Sequence, residues 1–319
     1  MSLETRNFYP TLTRHVTPTA SGSAVVSYTS DLGDGGPILT LIHGYPQSSF
    51  IWRHAVPLLL GKVSLFIPEL PGYGISSPAS EHSKKVVGGA LLDALKQVFA
   101  IMDESPRNII LGGHDRGARV CHRLAVDKDE FLPALKVVGT IMLDIVPTKV
   151  QWDKFSDPEV SQNYFHWPLL ANVEIAIRMI QGFGAADWVR GGHFRLAGSG
   201  EGLRRLAADD AVNVHAALFE KEETLRGSCQ DYAAGAKPEY DEQVHDQEAG
   251  RKVAVPAMVM FSQARLGAKI DVAGEWKDWI AEGVPFEPVP IGEGCGHYLP
   301  EEAYDIVVDK ILAFLDKHT

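Results

Sequence analysis

Three cysteines in 319 residues, Cys121, Cys229 and Cys295, are too few and too far apart for a disulfide framework or a zinc signature. Long apolar runs are missing as well. None approaches the roughly 18 residues a membrane span requires, and the opening MSLETRNFYP has an early acid and no apolar core, so it does not read as a secretory signal. Positive charge is in deficit: 30 Lys and Arg against 41 Asp and Glu give a formal net charge of −11. With no basic stripe to offset that balance, nucleic acid and anionic membrane surfaces are poor partners. Internal repeats, low-complexity tracts and flexible linkers are absent too. The expectation is a cytoplasmic globular protein acting on a small molecule, in which any anionic substrate needs a local positive pocket. Homodimers are the commonest soluble assembly, and that is the assembly expected here.

What remains is an ordinary globular composition, 45% hydrophobic and 22% charged. Short β-branched runs alternate with helix-length amphipathic segments, the pattern of an open, mostly parallel, doubly wound α/β sheet. ILTLIHG (38–44), VSLFIPEL (63–70), NIILGGHD (108–115), VVGTIMLDIV (137–146) and AMVMFS (257–262) read as strands. Residues 83–103, 116–128 and 301–318 read as helices. Between about 147 and 250 the chain becomes Trp-, His- and Gly-rich and mostly helical. A stretch of that length between two core strands is too long for a loop. The expected organisation is a core formed by 1–146 and 251–319, with 147–250 as a helical cap over the carboxyl edge of the sheet, where such folds bind ligands.

Gly113-His114-Asp115-Arg116-Gly117 follows a strand and precedes a helix. Glycines on both sides permit the sharp turn that presents the middle side chain at the sheet edge, with Asp where Ser is commoner. Taken alone, Asp115 also fits a plain helix cap. Two further segments stand in the order a hydrolytic site requires. His43-Gly44-Tyr45-Pro46 offers the backbone N–H of Tyr45 to an oxyanion hole, with the N–H of Arg116 as second donor. Gly294-Cys295-Gly296-His297 places a histidine on a loop just before the last helix, where it can reach Asp115 as a base.

Together these segments resemble the α/β-hydrolase superfamily over nearly the whole chain, in the branch of dehalogenases and epoxide hydrolases. GHDRGARV (113–120), LDIVPT (143–148), YFHW (164–167), CQDYAAGA (229–236) and CGHYLPEE (295–302) are similar to fluoroacetate dehalogenases. The resemblance implies that Asp115 displaces a leaving group from an sp³ carbon and becomes esterified, and that His297 then activates the water that hydrolyses the ester. It also implies Asp144 as the acid orienting His297. Asp271 is the alternative, although it heads DVAGEWKDWI and reads better as a helix N-cap. Arg116 and Arg119 stand in the first turn after the nucleophile, where cations are unfavourable unless an anion binds; the resemblance gives both to a substrate carboxylate. His166, Trp167 and Tyr232 correspond to a halide pocket, and His166 with Tyr232 would serve an epoxide oxygen equally well. In a helical cap such rings also pack plainly as core. The residue after Tyr232 is Ala233, where relatives often carry Arg.

No cofactor or metal is expected. Gly72-Tyr73-Gly74 lacks a phosphate-binding pattern, and His193, His215 and His245 lack metal spacing. EKEE (220–223) reads as a solvated helix face. The expectation is a hydrolase that displaces halide from a short 2-haloacid, with epoxide hydrolysis as the alternative. A ligand-binding module without catalysis is the remaining class, which would have no use for an Asp, His and acid set.

Overall fold

The computed structural model describes residues 6–130, 133–292 and 294–319. Its centre is an eight-stranded sheet in the order β1-β2-β4-β3-β5-β6-β7-β8. The strands are β1 (Thr13–Pro18), β2 (Ala24–Ser30), β3 (Ile38–Ile42), β4 (Ser64–Pro68), β5 (Arg107–His114), β6 (Leu135–Leu143), β7 (Ala257–Ser262) and β8 (Phe286–Ile291). β1 with β2 and β2 with β4 pair antiparallel; every pair from β4 through β8 is parallel.

Covering both faces explains why the central strands are apolar throughout rather than alternating. In β3, Ile38 and Ile42 join one core and Leu39 and Leu41 the other. The first core packs under the helices Lys84–Val98 and Arg116–Val126, and the second under Tyr304–His318. Three strands are not evident from hydrophobic pattern. β1 and β2 are an antiparallel ribbon, and β1 is largely exposed. β8 carries two prolines, which suit an edge strand. The carbonyls of Pro285 and Ile291 accept hydrogen bonds from Ala257 in β7 and from Gln263 just after it, so the two-residue period turns the nitrogens of Pro288 and Pro290 toward the open edge.

From Thr148 to Glu248 the chain between β6 and β7 runs through a succession of helices with short breaks. This helical insertion is tied to the core by buried charge. Asp231, on the helix Glu222–Ala234, accepts hydrogen bonds from Arg116 Nε (2.7 Å) and Tyr73 Oη (2.7 Å) and pairs with Lys84. Burial opposes its charge, but Arg116 and Lys84 hold the carboxyl far below the ordinary aspartate range. No helix among the described residues is long and apolar enough to cross a membrane.

Candidate active site

Asp115 stands between β5 and the helix Arg116–Val126 with φ +50° and ψ −115°. A non-glycine residue there stores about 1–3 kcal/mol of backbone strain, and the turn is held by close packing of glycine backbone. A Cβ on Gly113 would lie 2.6 Å from the carbonyl group of Gly117, and one on Gly117 would lie 2.4 Å from the carbonyl oxygens of Ile42 and His43. Gly44 leaves room for Asp115 itself, since a Cβ there would lie 2.6 Å from its Oδ1. The spacing of small residues therefore follows from backbone-to-backbone contact at the carboxyl ends of β3 and β5.

The Tyr45 N–H donates to Asp115 Oδ1 at 2.8 Å. Asp115 Oδ2 lies 3.8 Å from His297 Nε2, beyond direct hydrogen-bond distance. On its other side His297 donates from Nδ1 to Asp144 Oδ2 at 2.7 Å. Asp144 follows β6, and its Oδ1 accepts the Ser262 N–H at 2.8 Å. These bonds fix the tautomer that leaves Nε2 facing Asp115. The His297 backbone is anchored as well: its N–H donates to Leu196 O, and its carbonyl accepts from His114 Nε2 at 2.8 Å. Asp271, the alternative acid, caps the helix Val272–Lys277 by accepting the Gly274 N–H and lies on no histidine.

Burial disfavours the Asp115 carboxylate, yet His297, His114, Arg116 and Arg119 together hold its pKa below the usual value. Burial also opposes charge on His297, but Asp144 and then Asp115 outweigh it and raise its pKa above the usual value. A pH consequence follows. A step that needs ionised Asp115 persists at mildly acidic pH. A step that needs neutral His297 fails as pH falls through a pKa above the histidine norm, by about tenfold per pH unit below it. Rapid-quench measurement should therefore show an adduct on Asp115 forming at about pH 5.5 while its breakdown stalls. Esterification removes the Asp115 charge, so the limb for breakdown should lie below that of the free enzyme. Parallel acid limbs for formation and breakdown would refute this division of roles.

The pair of arginines expected to share a carboxylate is divided. Arg116 is fully buried, with Nε and Nη2 bonded to Asp231 and its guanidinium 4.2 Å from the Tyr232 ring centroid. It lines neither chamber in front of Asp115. Its side chain is bound by an insertion residue 115 positions away, which leaves its backbone N–H as the group next to Asp115. Its Nη1 is buried without a hydrogen-bond partner.

Arg119 does face the site. Its Nη1 donates to Val146 O and Thr148 Oγ1, both at 3.0 Å, and its guanidinium stacks 4.5 Å from the Trp167 ring centroid. Its buried Nε has no hydrogen-bond partner. Burial and then Arg116 lower its pKa to about 10, so it remains a cation at neutral pH.

Two chambers meet at Asp115, His166, Leu196 and His297. The smaller, about 60 Å³, is lined by Arg119, Gln151, Asn163, Trp167, Arg265 and Lys269 among others. The larger, about 190 Å³, is mostly apolar: Tyr45, Tyr232, Tyr298, Trp188 and Leu196 line it with the solvent-exposed Phe165 and Phe183, Gly191 and Gly192, and it also carries the charged Asp187 and Arg195. His166, Trp167 and Tyr232 come together, with ring centroids 5.9 Å apart for His166–Tyr232 and 5.7 Å for Trp167–Tyr232. Burial pushes the His166 pKa down to about 3, so the ring is neutral and carries one N–H. Its buried Nδ1 is also unpartnered, as is Gln151 Nε2 in the small chamber.

Gln151, Arg265, Lys269 and Trp188 were not anticipated from sequence. Arg265 and Lys269 lie in QARLGAK (263–269), the segment just after β7. Trp188 donates from Nε1 to Tyr45 Oη at 2.6 Å, so the insertion holds the ring next to the oxyanion-hole candidate. No group of three or more His, Cys, Asp or Glu side chains among the described residues is arranged to hold a metal ion.

Comparison with known proteins agrees with this architecture. A fluoroacetate dehalogenase from Burkholderia sp. is 29% identical over 245 residues, 74% of each chain. A soluble epoxide hydrolase from Corynebacterium sp. (strain C12) is 25% identical over 301 residues, covering 88% of this chain and 91% of the relative. A solved Pseudomonas aeruginosa structure, provisionally assigned as an epoxide hydrolase, superposes with a TM-score of 0.83 at 27% identity over 98% of both chains. The alpha/beta hydrolase family model matches residues 41–310, from within β3 into the last helix, and the chain belongs to that family.

Proposed function

We propose that this hydrolase displaces halide from a short 2-haloacid through an ester on Asp115. The observation that carries the reading is a small cationic chamber beside the nucleophile in a protein of net charge −11, where Arg119 Nε and Gln151 Nε2 are buried donors without partners. An orphaned buried donor costs about 1–3 kcal/mol. A substrate carboxylate would satisfy both and pair with the Arg119 charge.

In this reading Asp115 Oδ2 attacks the carbon bearing the halogen, forming the C–O bond as the carbon–halogen bond breaks. Asp115 Oδ1, already on the Tyr45 N–H, remains as the ester carbonyl oxygen. His297 Nε2 takes a proton from water, which adds to that carbonyl carbon. The Tyr45 and Arg116 N–H groups hold the developing oxyanion; as it collapses, the bond from the Asp115 carbonyl carbon to the product oxygen breaks, His297 gives its proton to that oxygen, and the 2-hydroxy acid leaves with the Asp115 carboxylate restored. His166, Trp167 and Tyr232 would receive the halide, and the helical insertion would act as the cap that closes the site. Epoxide hydrolysis is the second reading. It is favoured by the donors of His166 and Tyr232 beside Asp115, and the curated relatives include epoxide hydrolases.

Halide release from a haloacid panel, against diol formation from an epoxide panel, separates the two readings. Diols from epoxides with no halide from any haloacid would replace the first by the second. Within the first, Trp167→Phe keeps the ring but removes the N–H. Fluoride, a compact anion that is costly to desolvate, should need that donor more than chloride does. Single-turnover adduct formation should slow by about tenfold on fluoroacetate and by less on chloroacetate. Equal slowing would remove the fluoride-specific role of Trp167 while leaving the reaction in place.

A further inference from the structure

A haloacetate, whose carbon carries only hydrogens beside the carboxylate and halogen, would reach only the halide donors His166 and Tyr232 on the wall of the large chamber and leave the rest of it unfilled. That chamber opens on the same Asp115, His166 and His297 as the cationic chamber. Gly191, exposed, and Gly192, half-buried, stand at its rim in the helix Ala185–Leu196. A Cβ at either position would meet nothing within 4 Å, so neither glycine is there to avoid a clash. We infer that the preferred substrate is a 2-halo acid with an apolar substituent, of butyl or phenyl size, on the reacting carbon. The carboxylate lies in the Arg119 chamber and the substituent in the chamber walled by Phe165, Phe183, Trp188 and Leu196.

The geometry of displacement supports this division. A carbon attacked in line spreads its other three substituents around the axis of attack, and two chambers flanking the nucleophile take two of them. Each methylene moved from water into an apolar wall improves binding by about fourfold. Carboxylate and substituent in different chambers leave one enantiomer with its halogen toward His166, and attack at the carbon inverts that centre.

The inference rests on the dehalogenase reading, and one experiment distinguishes their failures. Halide release is followed for chloroacetate and for each enantiomer of 2-chlorohexanoate, with wild type, Gly191→Leu and Gly192→Leu. Leucine improves helix propensity at both positions, so folding is not the expected casualty. Wild type should favour one enantiomer of 2-chlorohexanoate over chloroacetate by at least about tenfold in kcat/KM, with inverted 2-hydroxyhexanoate as product. At least one leucine variant should lower that ratio by a similar factor. Chloroacetate turned over as well as 2-chlorohexanoate by wild type overturns the inference alone. So does equal loss on both substrates, which would make the chamber a mere passage. No halide from any haloacid overturns the dehalogenase reading and the inference with it.

Discussion

His297→Gln, incubated with a competent haloacid, should stop after one turnover and accumulate an ester on the peptide containing Asp115. The 3.8 Å gap between His297 Nε2 and Asp115 Oδ2 underlies the expectation, because the imidazole faces Asp115 without being bonded to it. Attack on carbon needs an ionised carboxylate, and Arg119 and the Tyr45 N–H remain to favour that charge in the variant. Hydrolysis needs a base, and glutamine is none at neutral pH. Loss of a positioned general base costs about 10²- to 10⁴-fold, so overall turnover should fall by that factor while the first halide is released at nearly the wild-type rate. Mass spectrometry of the digested variant reads the adduct directly. A competent substrate that leaves label on Asp144, or on no acid at all, would end the assignment of Asp115 as nucleophile. The Asp144 bond supplies a control. Asp144→Asn should also impair hydrolysis, since an amide no longer stabilises the Nδ1–H tautomer or the imidazolium.

How much of this was legible in the chain depends on whether the determinant is local. The five strands β3 to β7 announce themselves as apolar runs because both of their faces are covered. β1 and β8 are not legible in that way: they form the margins of the sheet, where solvent removes the apolar signal and β8 tolerates prolines; β2, buried between β1 and β4, mixes Ser27 and Thr29 with its apolar residues. The turn at Asp115 is legible because its need for small neighbours is written within five residues, Gly113 to Gly117. The role of Asp271 is equally local, a cap onto an amide three residues ahead. The Arg116 side chain is the opposite case. Helix spacing sets it near Arg119, and nothing within its own segment reveals that Asp231 binds it from the far end of the insertion. The same limit hid Gln151 and Arg265. Each is an unremarkable polar residue until the fold brings it to the chamber beside the nucleophile.

That division of the arginines sharpens the second large expectation. On the dehalogenase reading, Arg119, which lines the small chamber as Arg116 does not, carries the charge recognition, and Arg119→Met should weaken kcat/KM on a haloacid by about 10- to 150-fold, the worth of a charge-assisted hydrogen bond of about 1.5–3 kcal/mol. The neutral amide of the same haloacid, where it turns over, should lose far less. Methionine keeps an unbranched apolar stem and removes a guanidinium that stacks on Trp167 and whose pKa burial lowers to about 10. The substitution also loses the bonds to Val146 O and Thr148 Oγ1. Arg119→Lys tests that loss separately, because an ammonium keeps the charge without the planar fork. If the charge is what matters, lysine should recover a substantial part of the haloacid activity while still failing to reproduce the two bonds. Equal losses on acid and amide, with no recovery by lysine, would mean that Arg119 holds Val146 and Thr148 in place for the loop after β6. The carboxylate would then have to be sought at Gln151, Arg265 and Lys269, the other polar groups of the same small chamber.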